Sequence, residues 1–342
     1  MFRILLIVLS LTAAAFAAPT TAPASPPTDH RVLIISIDGC RPDLLLRADT
    51  PVLHGLMRQG TFTLWAQTTA VSITIPSHVS MLTGAKPEIH GVLANQELPP
   101  EQRQYPLVPT LFEIARRAGY TTGMVAGKSK FDCFDRPGAL SVKWIPTRSL
   151  VFDREVREHA LEIIDTAAPE VLFVHFPQND SIGHHIGWGS PEQVEHLHET
   201  DAAIGDILRA LRAKGLLDHT LIIISADHGG AGRTHGPEDS RSRCIPWIVA
   251  GPNVRQGTDL SCTDSKRTIH TEDTFATAAA FLKLSYDDRT LFGVPVAEIW
   301  NRPGEILFVR GKIPQGPRPM DWDSILNPAP EAAGLFAAHS SR

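Results

Sequence analysis

The chain has too few cysteines to be held together by disulfides: four in 342 residues, far below the density of a stapled secreted scaffold. It has no block of like charge. Its 32 Lys and Arg face 37 Asp and Glu, for a net charge of −5, and no basic cluster offers a surface for nucleic-acid phosphates. Internal repeats are missing, and no Pro/Gly/Ser linker breaks 31–300, so neither a repeat array nor a structural adhesion protein is indicated. Long apolar runs are confined to the N-terminus. What remains is 43% hydrophobic residues, 15 histidines and only three tyrosines. That much apolar content excludes a disordered chain, and the length alone suggests two domains.

The N-terminus reads as an address. Met1-Phe2-Arg3 carries one positive charge, Ile4 to Ala18 is almost wholly apolar, and Ala15-Phe16-Ala17 supplies a small-x-small cleavage pattern. This is the form of a signal peptide over 1–17, followed by a flexible leader over 18–30. The run is shorter than the roughly 20 apolar residues of a membrane anchor, and no cysteine follows it for lipid attachment. The expectation is a soluble, secreted or periplasmic protein. Export permits disulfides among Cys40, Cys133, Cys244 and Cys262. Four cysteines allow three full pairings, with Cys244–Cys262 the expected pair by proximity and Cys40 readable as a buried thiol.

Short continuous apolar runs at Val32–Ile37, Thr121–Ala126, Val171–Phe176, Thr220–Ser225 and Ile245–Ala250 have the pattern of strands buried on both faces. Helical patterns lie between and after them, at Thr110–Ala118, Arg154–Ala167, Pro191–Lys214 and Thr271–Leu284. The alternation predicts an α/β fold, a three-layer doubly wound and mostly parallel sheet over 31–300. A Pro-rich tail over 301–342 would wrap the domain or fray.

Ligands of such sheets bind beyond the carboxyl ends of the strands, and here those ends are rich in Asp and His. Val32–Ile37 leads into Asp38-Gly39, Val171–Phe176 into a segment carrying Asp180 and His184, and Thr220–Ser225 into Asp227-His228-Gly229. Six residues separate His228 from His235-Gly236. Carboxylates with imidazoles are a donor set for Zn²⁺, and one that also admits Mn²⁺ or Fe²⁺. A lone Asp after a strand is most often a turn or cap residue; the ordered combination is what points to metal.

These residues, with Thr74-Ile75-Pro76-Ser77-His78 and Thr83-Gly84, resemble the alkaline phosphatase superfamily and its type I phosphodiesterase/nucleotide pyrophosphatase branch, from Val32 to Trp300. The resemblance implies two divalent metal ions. One would be held by Asp180, His184 and His235, the other by Asp38, Asp227 and His228 with Thr74, the nucleophile that carries a covalent phosphoryl group. His270 competes with His235 by chain order; His235 is preferred because a strand follows it, as in the family. The motif is also similar to the sulfatase signature, but threonine cannot be oxidised to the formylglycine that a sulfatase needs. Pro76 marks a helix start, which puts Thr74 at a positive helix end.

Three departures from the nucleotide-cleaving members stand out. Ser77 replaces an Asn that holds the transition-state oxygen, Ile75 replaces a Phe that stacks on the base, and the His228–His235 interval lacks a long insertion. The implied function is therefore an exported two-metal phosphoesterase acting on a small phosphate ester, a phosphodiesterase for preference. A phosphomonoesterase or phosphonate hydrolase is the alternative, with a non-catalytic phosphate- or metal-binding protein as the rival class. Ser77, Lys128 and His185 are the candidate substrate contacts. His90 is expected to shape its loop, and His196 and His198 to be solvated.

Overall fold

Residues 29–263, 267–301 and 320–327 are described by a computed structural model. The expected signal peptide over 1–17, most of the expected leader, and the tail segments 302–319 and 328–342 lie outside them. The centre of the molecule is made of the most apolar runs. Strands β1 (Arg31–Ile37), β5 (Val171–Phe176) and β6 (Thr220–Ser225) are buried along nearly their whole length. β1 runs parallel to both neighbours, so Ile34 lies between Phe173 and Ile223. Outward on one side come β3 (Thr122–Val125) and β4 (Val142–Trp144). On the other come β7 (Cys244–Ala250), β2 (Thr61–Gln67) and β8 (Thr258–Asp259). The eight-stranded order is β4-β3-β5-β1-β6-β7-β2-β8, and β7 is antiparallel to both strands beside it.

Strands buried on both faces need a helical layer on each. Helices α1 (Pro42–Arg47), α2 (Pro51–Gln59), α6 (Asp153–Thr166) and α8 (Pro191–Ala213) pack together as one layer. A second group comprises α3 (Thr74–Thr83), α4 (Pro87–His90) and α10 (Asp273–Phe281). The helices α5 (Leu111–Arg117), α7 (Gln178–His185), α9 (Ser240–Arg243) and α11 (Trp322–Leu326) complete the described set. The expected strands and helices are present with ends shifted by a few residues. β2, β4 and β8 were not anticipated, because they lie toward the sheet's margins, where half-exposed strands such as Thr61–Gln67 lack a continuous apolar run.

Three other expectations are corrected. No disulfide joins Cys244 to Cys262, and all four cysteines are free. β2 separates the two: Cys244 pairs with Gln67 at its far end, while β8, just before Cys262, pairs at Thr61 and Phe62. His196 is buried rather than solvated, bonded to Asp153 Oδ2 at 3.1 Å. His30, placed in the flexible leader, is buried and stacks on Phe281 at 4.4 Å. The described part of the tail packs back on the domain, with Trp322 Nε1 donating to Asp218 and Ile325 set against Gly55.

Helix α2 is anchored across the layer. Thr50, at the N-cap of α2, makes no side-chain cap bond. Instead Asp201 of α8, itself buried, accepts from Val52 N at 3.0 Å and Leu53 N at 2.8 Å. Asp201→Ala leaves both N–H groups buried without an acceptor and should cost ~1–3 kcal/mol. Thermal unfolding should show a fall of several degrees, and a smaller one for Asp201→Asn, which keeps an acceptor.

Candidate metal centre

Register explains why the polar residues meet. Ile37 pairs with Phe176, and Ser36 with both His175 and Ser225, so β1, β5 and β6 end at one rim. Asp38 follows β1 directly. Gly39, at φ +69°, turns the chain in a left-handed conformation that favours glycine, and its N–H donates to Asp227 Oδ1 at 3.0 Å. Past β5, α7 places Asp180 and His184 one turn apart on the same face, 3.3 Å between Oδ1 and Nε2. Past β6 come Asp227 and His228, and the following loop returns His235 so that its ring stacks on His228 at 3.6 Å.

Two groups of candidate ligands result: Asp180, His184 and His235, and Asp38, Asp227 and His228, with the donor atoms of each group within 4.8 Å of one another. The residues fit divalent cations on two counts. First, each imidazole is oriented. Nδ1 of His184, His228 and His235 donates to the carbonyls of Arg233, Gly229 and Ser72 at 3.0, 2.9 and 3.0 Å. A carbonyl only accepts, so Nδ1 carries the proton and Nε2 presents a lone pair to the cluster. Second, Asp38 Oδ1, Asp180 Oδ1, Asp227 Oδ2 and His228 Nε2 are buried with no hydrogen-bond partner, a costly arrangement for polar atoms unless a cation takes them.

Charge makes the same point. Among the described residues, Lys128 is the one ammonium within bonding distance of these buried carboxylates, at 2.6 Å from Asp38 Oδ2 and 2.7 Å from Asp180 Oδ2. Burial alone would raise the Asp38 pKa, but Lys128 and His175 more than offset it and hold it well below the usual range. Asp227 has no such neighbour at bonding distance, and burial together with Asp38 pushes it well above. The cluster is short of positive charge.

Thr74 is the first residue of α3 and is 1% exposed. The two residues that follow Pro76 fasten this helix end to the cluster. Ser77 Oγ donates to the Asp227 carbonyl at 2.7 Å. His78 Nδ1 donates to the Thr74 carbonyl at 2.8 Å and lies 3.5 Å from Asp227 Oδ2, while Ser36 Oγ donates to its Nε2 at 2.7 Å. On the other side, the Ser72 carbonyl accepts from His235. The helix end is less open than its position suggests, since Ile75 N donates to Asn95 Oδ1 at 3.0 Å.

The remaining candidates are placed apart from one another. Ser77's hydroxyl is engaged on the Asp227 backbone, and Lys128's ammonium on two carboxylates. His185 is exposed and bonded to the Ser181 carbonyl of its own helix at 2.7 Å. His270 lies against Phe292 and belongs to neither group. His90 is buried between Ser80 Oγ and Val92 N, holding its loop, and His198 is exposed.

Sequence reasoning passed over three contributors. His175, inside the apolar run of β5, donates from Nε2 to Asp38 Oδ2 at 2.9 Å and accepts from Gly127 N at 3.1 Å. A histidine interrupting a buried strand was the available signal. Asn95 carried none. Trp188, in Gly187-Trp188-Gly189, donates to the Gly39 carbonyl at 2.9 Å and sets its ring edge-to-face with His184 at 5.0 Å and His235 at 5.8 Å.

Comparison with known proteins places the chain in a family. Residues 32–235 match the family described as type I phosphodiesterase/nucleotide pyrophosphatase. The chain belongs to this family. A Schizosaccharomyces pombe protein described as an uncharacterized pyrophosphatase/phosphodiesterase is 28% identical over 216 residues, 58% of this chain and 44% of the relative. The chain spans about half the length of the curated relatives it matches. The structure of murine ectonucleotide pyrophosphatase/phosphodiesterase 5 superposes with a TM-score of 0.65 at 16% identity, covering 80% of this chain and all of that one. A 2-O GAG sulfatase superposes at 0.61, also at 16% identity, over 78% and 73% of the two chains. The fold is thus alkaline phosphatase-like, a mostly parallel sheet shared with both.

The Trp188 contact gives a test. Gly183 lies within α7, where alanine would ordinarily favour the helix by ~1 kcal/mol. A Cβ there would sit 2.7 Å from the Trp188 indole. Gly183→Ala should therefore lower the unfolding midpoint, and adding Trp188→Phe should recover part of the loss.

Proposed function

We propose that this protein is an exported phosphodiesterase that acts through a phosphothreonine on Thr74 and uses two divalent cations, Zn²⁺ for preference. Asp38, Asp227, His228 and Thr74 would hold one, and Asp180, His184 and His235 the other. The observation that carries the reading is the convergence of two oriented ligand groups on the rim to which the Thr74 helix is fastened. Family membership and the partnerless buried ligand atoms support it. Export rests on the charge, apolar run and cleavage pattern of 1–17.

When bound, the two cations supply Lewis acidity, which ionises a threonine hydroxyl and eases the departure of a poor leaving oxygen. The chain itself supplies placement. Ser77 and His78 fix the first turn of α3 to the end of β6, so the Thr74 oxygen needs little reorganisation to reach a bound phosphorus. Its attack forms the phosphothreonine bond as the bond to the departing alcohol breaks. Water then cleaves the phosphothreonine, releasing phosphate monoester and restoring the hydroxyl.

A diester is favoured over a monoester. Family membership favours it, and the Lys128 ammonium, which could meet the additional charge of a monoester, is already held by two carboxylates, leaving Lys130, bonded to Asn95 Oδ1, as the neighbouring ammonium without a carboxylate. The small cleft beside Ile75 is lined as much by apolar residues, such as Val92, Ala94 and Leu98, as by polar ones, such as Gln96, Arg103 and Lys130. With no aromatic ring among its lining residues, it offers no face on which a base would stack.

The test is a parallel assay of bis-nitrophenyl phosphate, nitrophenyl phosphate and nitrophenyl sulfate. The diester should be cleaved fastest, chelator should abolish the rate and Zn²⁺ restore it. Thr74→Ala should lose more than about a thousandfold in kcat while keeping its metal content. A dominant sulfate rate would overturn the class, and full activity in Thr74→Ala or in chelator the mechanism.

A further inference from the structure

We propose that Lys128 is a positioning residue that braces the two metal groups together, rather than a contact to substrate. The inference rests on the two-cation reading above. Lys128 is 7% exposed, and its Nζ donates to one oxygen of each of two carboxylates that belong to different groups: Asp38 Oδ2 at 2.6 Å and Asp180 Oδ2 at 2.7 Å. The other oxygen of each, Oδ1, has no hydrogen-bond partner. Those free oxygens face the imidazoles. Asp38 Oδ1 lies 3.4 Å from His228 Nε2, and Asp180 Oδ1 lies 3.3 Å from His184 Nε2 and 3.9 Å from His235 Nε2. Each carboxylate is thus divided, with one oxygen fixed by the ammonium and one left to ligate.

The backbone is built to bring the lysine there. β3, which precedes Lys128, is separated from β1 by β5, a span of roughly 10 Å that needs a long side chain. Gly127 lets the end of β3 close on the end of β5: a Cβ at this position would lie 2.3 Å from Pro177. The Gly127 N–H donates to His175, which donates in turn to Asp38 Oδ2. Asp38 therefore has two supports and Asp180 shares one of them. An ammonium placed between the groups also holds two like charges at a fixed spacing, so both groups are formed before either cation arrives.

Zn²⁺ binding by the full-length mature protein distinguishes this from the alternatives, read as metal per chain and as competition with a chromophoric chelator. Wild type should retain two Zn²⁺. Lys128→Met should weaken both by about 10–100-fold, and Lys128→Gln, which keeps a single donor, by less. His175→Phe should weaken one site only. Asp201→Ala, a destabilised chain with an untouched centre, should bind as wild type does, which separates bracing from lost stability. Unchanged or tighter Zn²⁺ binding by both Lys128 variants would overturn the inference, as would a change confined to KM. A wild-type protein that retains no metal would instead overturn the two-cation reading itself.

Discussion

The structure depends on gathering three carboxylates, Asp38, Asp180 and Asp227, at one buried rim of the sheet, where Lys128 is, among the described residues, the one ammonium within bonding distance. Like charges in a low-dielectric setting repel strongly, so much of the surrounding architecture serves to hold them. Backbone N–H groups of Gly39 and His228 take Asp227 Oδ1, His175 and Lys128 take Asp38 Oδ2, and the α7 turn aims Asp180 at His184. The parallel register of β1, β5 and β6 is what makes this economical in sequence, because strands ending level with one another need only a few residues each to reach a common point: one to Asp38, two to Asp227 and four to Asp180.

That constraint also explains what could be read from sequence. Central strands are buried on both faces, so they show as unbroken apolar runs, and the ligands sit just beyond them in chain order. Thr74 could be singled out because Thr74-Ile75-Pro76-Ser77-His78 is a contiguous motif that carries the resemblance and Pro76 marks a helix start, although the bonds from Ser77 to Asp227 and from Ser36 to His78 span 150 and 42 positions. The supports were harder to see. His175 touches Asp38 across 137 positions, and Lys128 reaches it across 90, so no local pattern announces either contact. Lys128 shows the limit well: a lysine after a strand is visible, but whether its ammonium meets substrate or carboxylate depends on where β5 and β1 end. His196 was misjudged for the same reason, since its partner Asp153 lies at the start of another helix.

The short His228–His235 connection fits this design. Arg41 Nη1 donates to the Gly230 carbonyl at 2.7 Å, Trp188 N donates to the Gly232 carbonyl at 2.8 Å, and Gly230 leaves no room for a Cβ beneath the Trp188 ring. The loop is held from α1's approach and from α7's exit at once. A connection this brief returns His235 to the cluster in six intervening residues.

On the proposed reading, catalysis and stability draw on the same atoms. Removing a carboxylate from water costs several kcal/mol, and on this reading part of that cost is left for cations to offset, because Asp38 Oδ1, Asp180 Oδ1 and Asp227 Oδ2 have no hydrogen-bond partner among the described residues. Each cation that binds the folded chain and not the unfolded one then stabilises the fold by mass action. A centre satisfied by its own side chains would be more stable alone and useless to a phosphate ester. On that reading, the lone pairs left open at this rim are the means by which the fold would recruit the charge its chemistry requires, with Lys128 supplying only enough of it to keep the carboxylates in place.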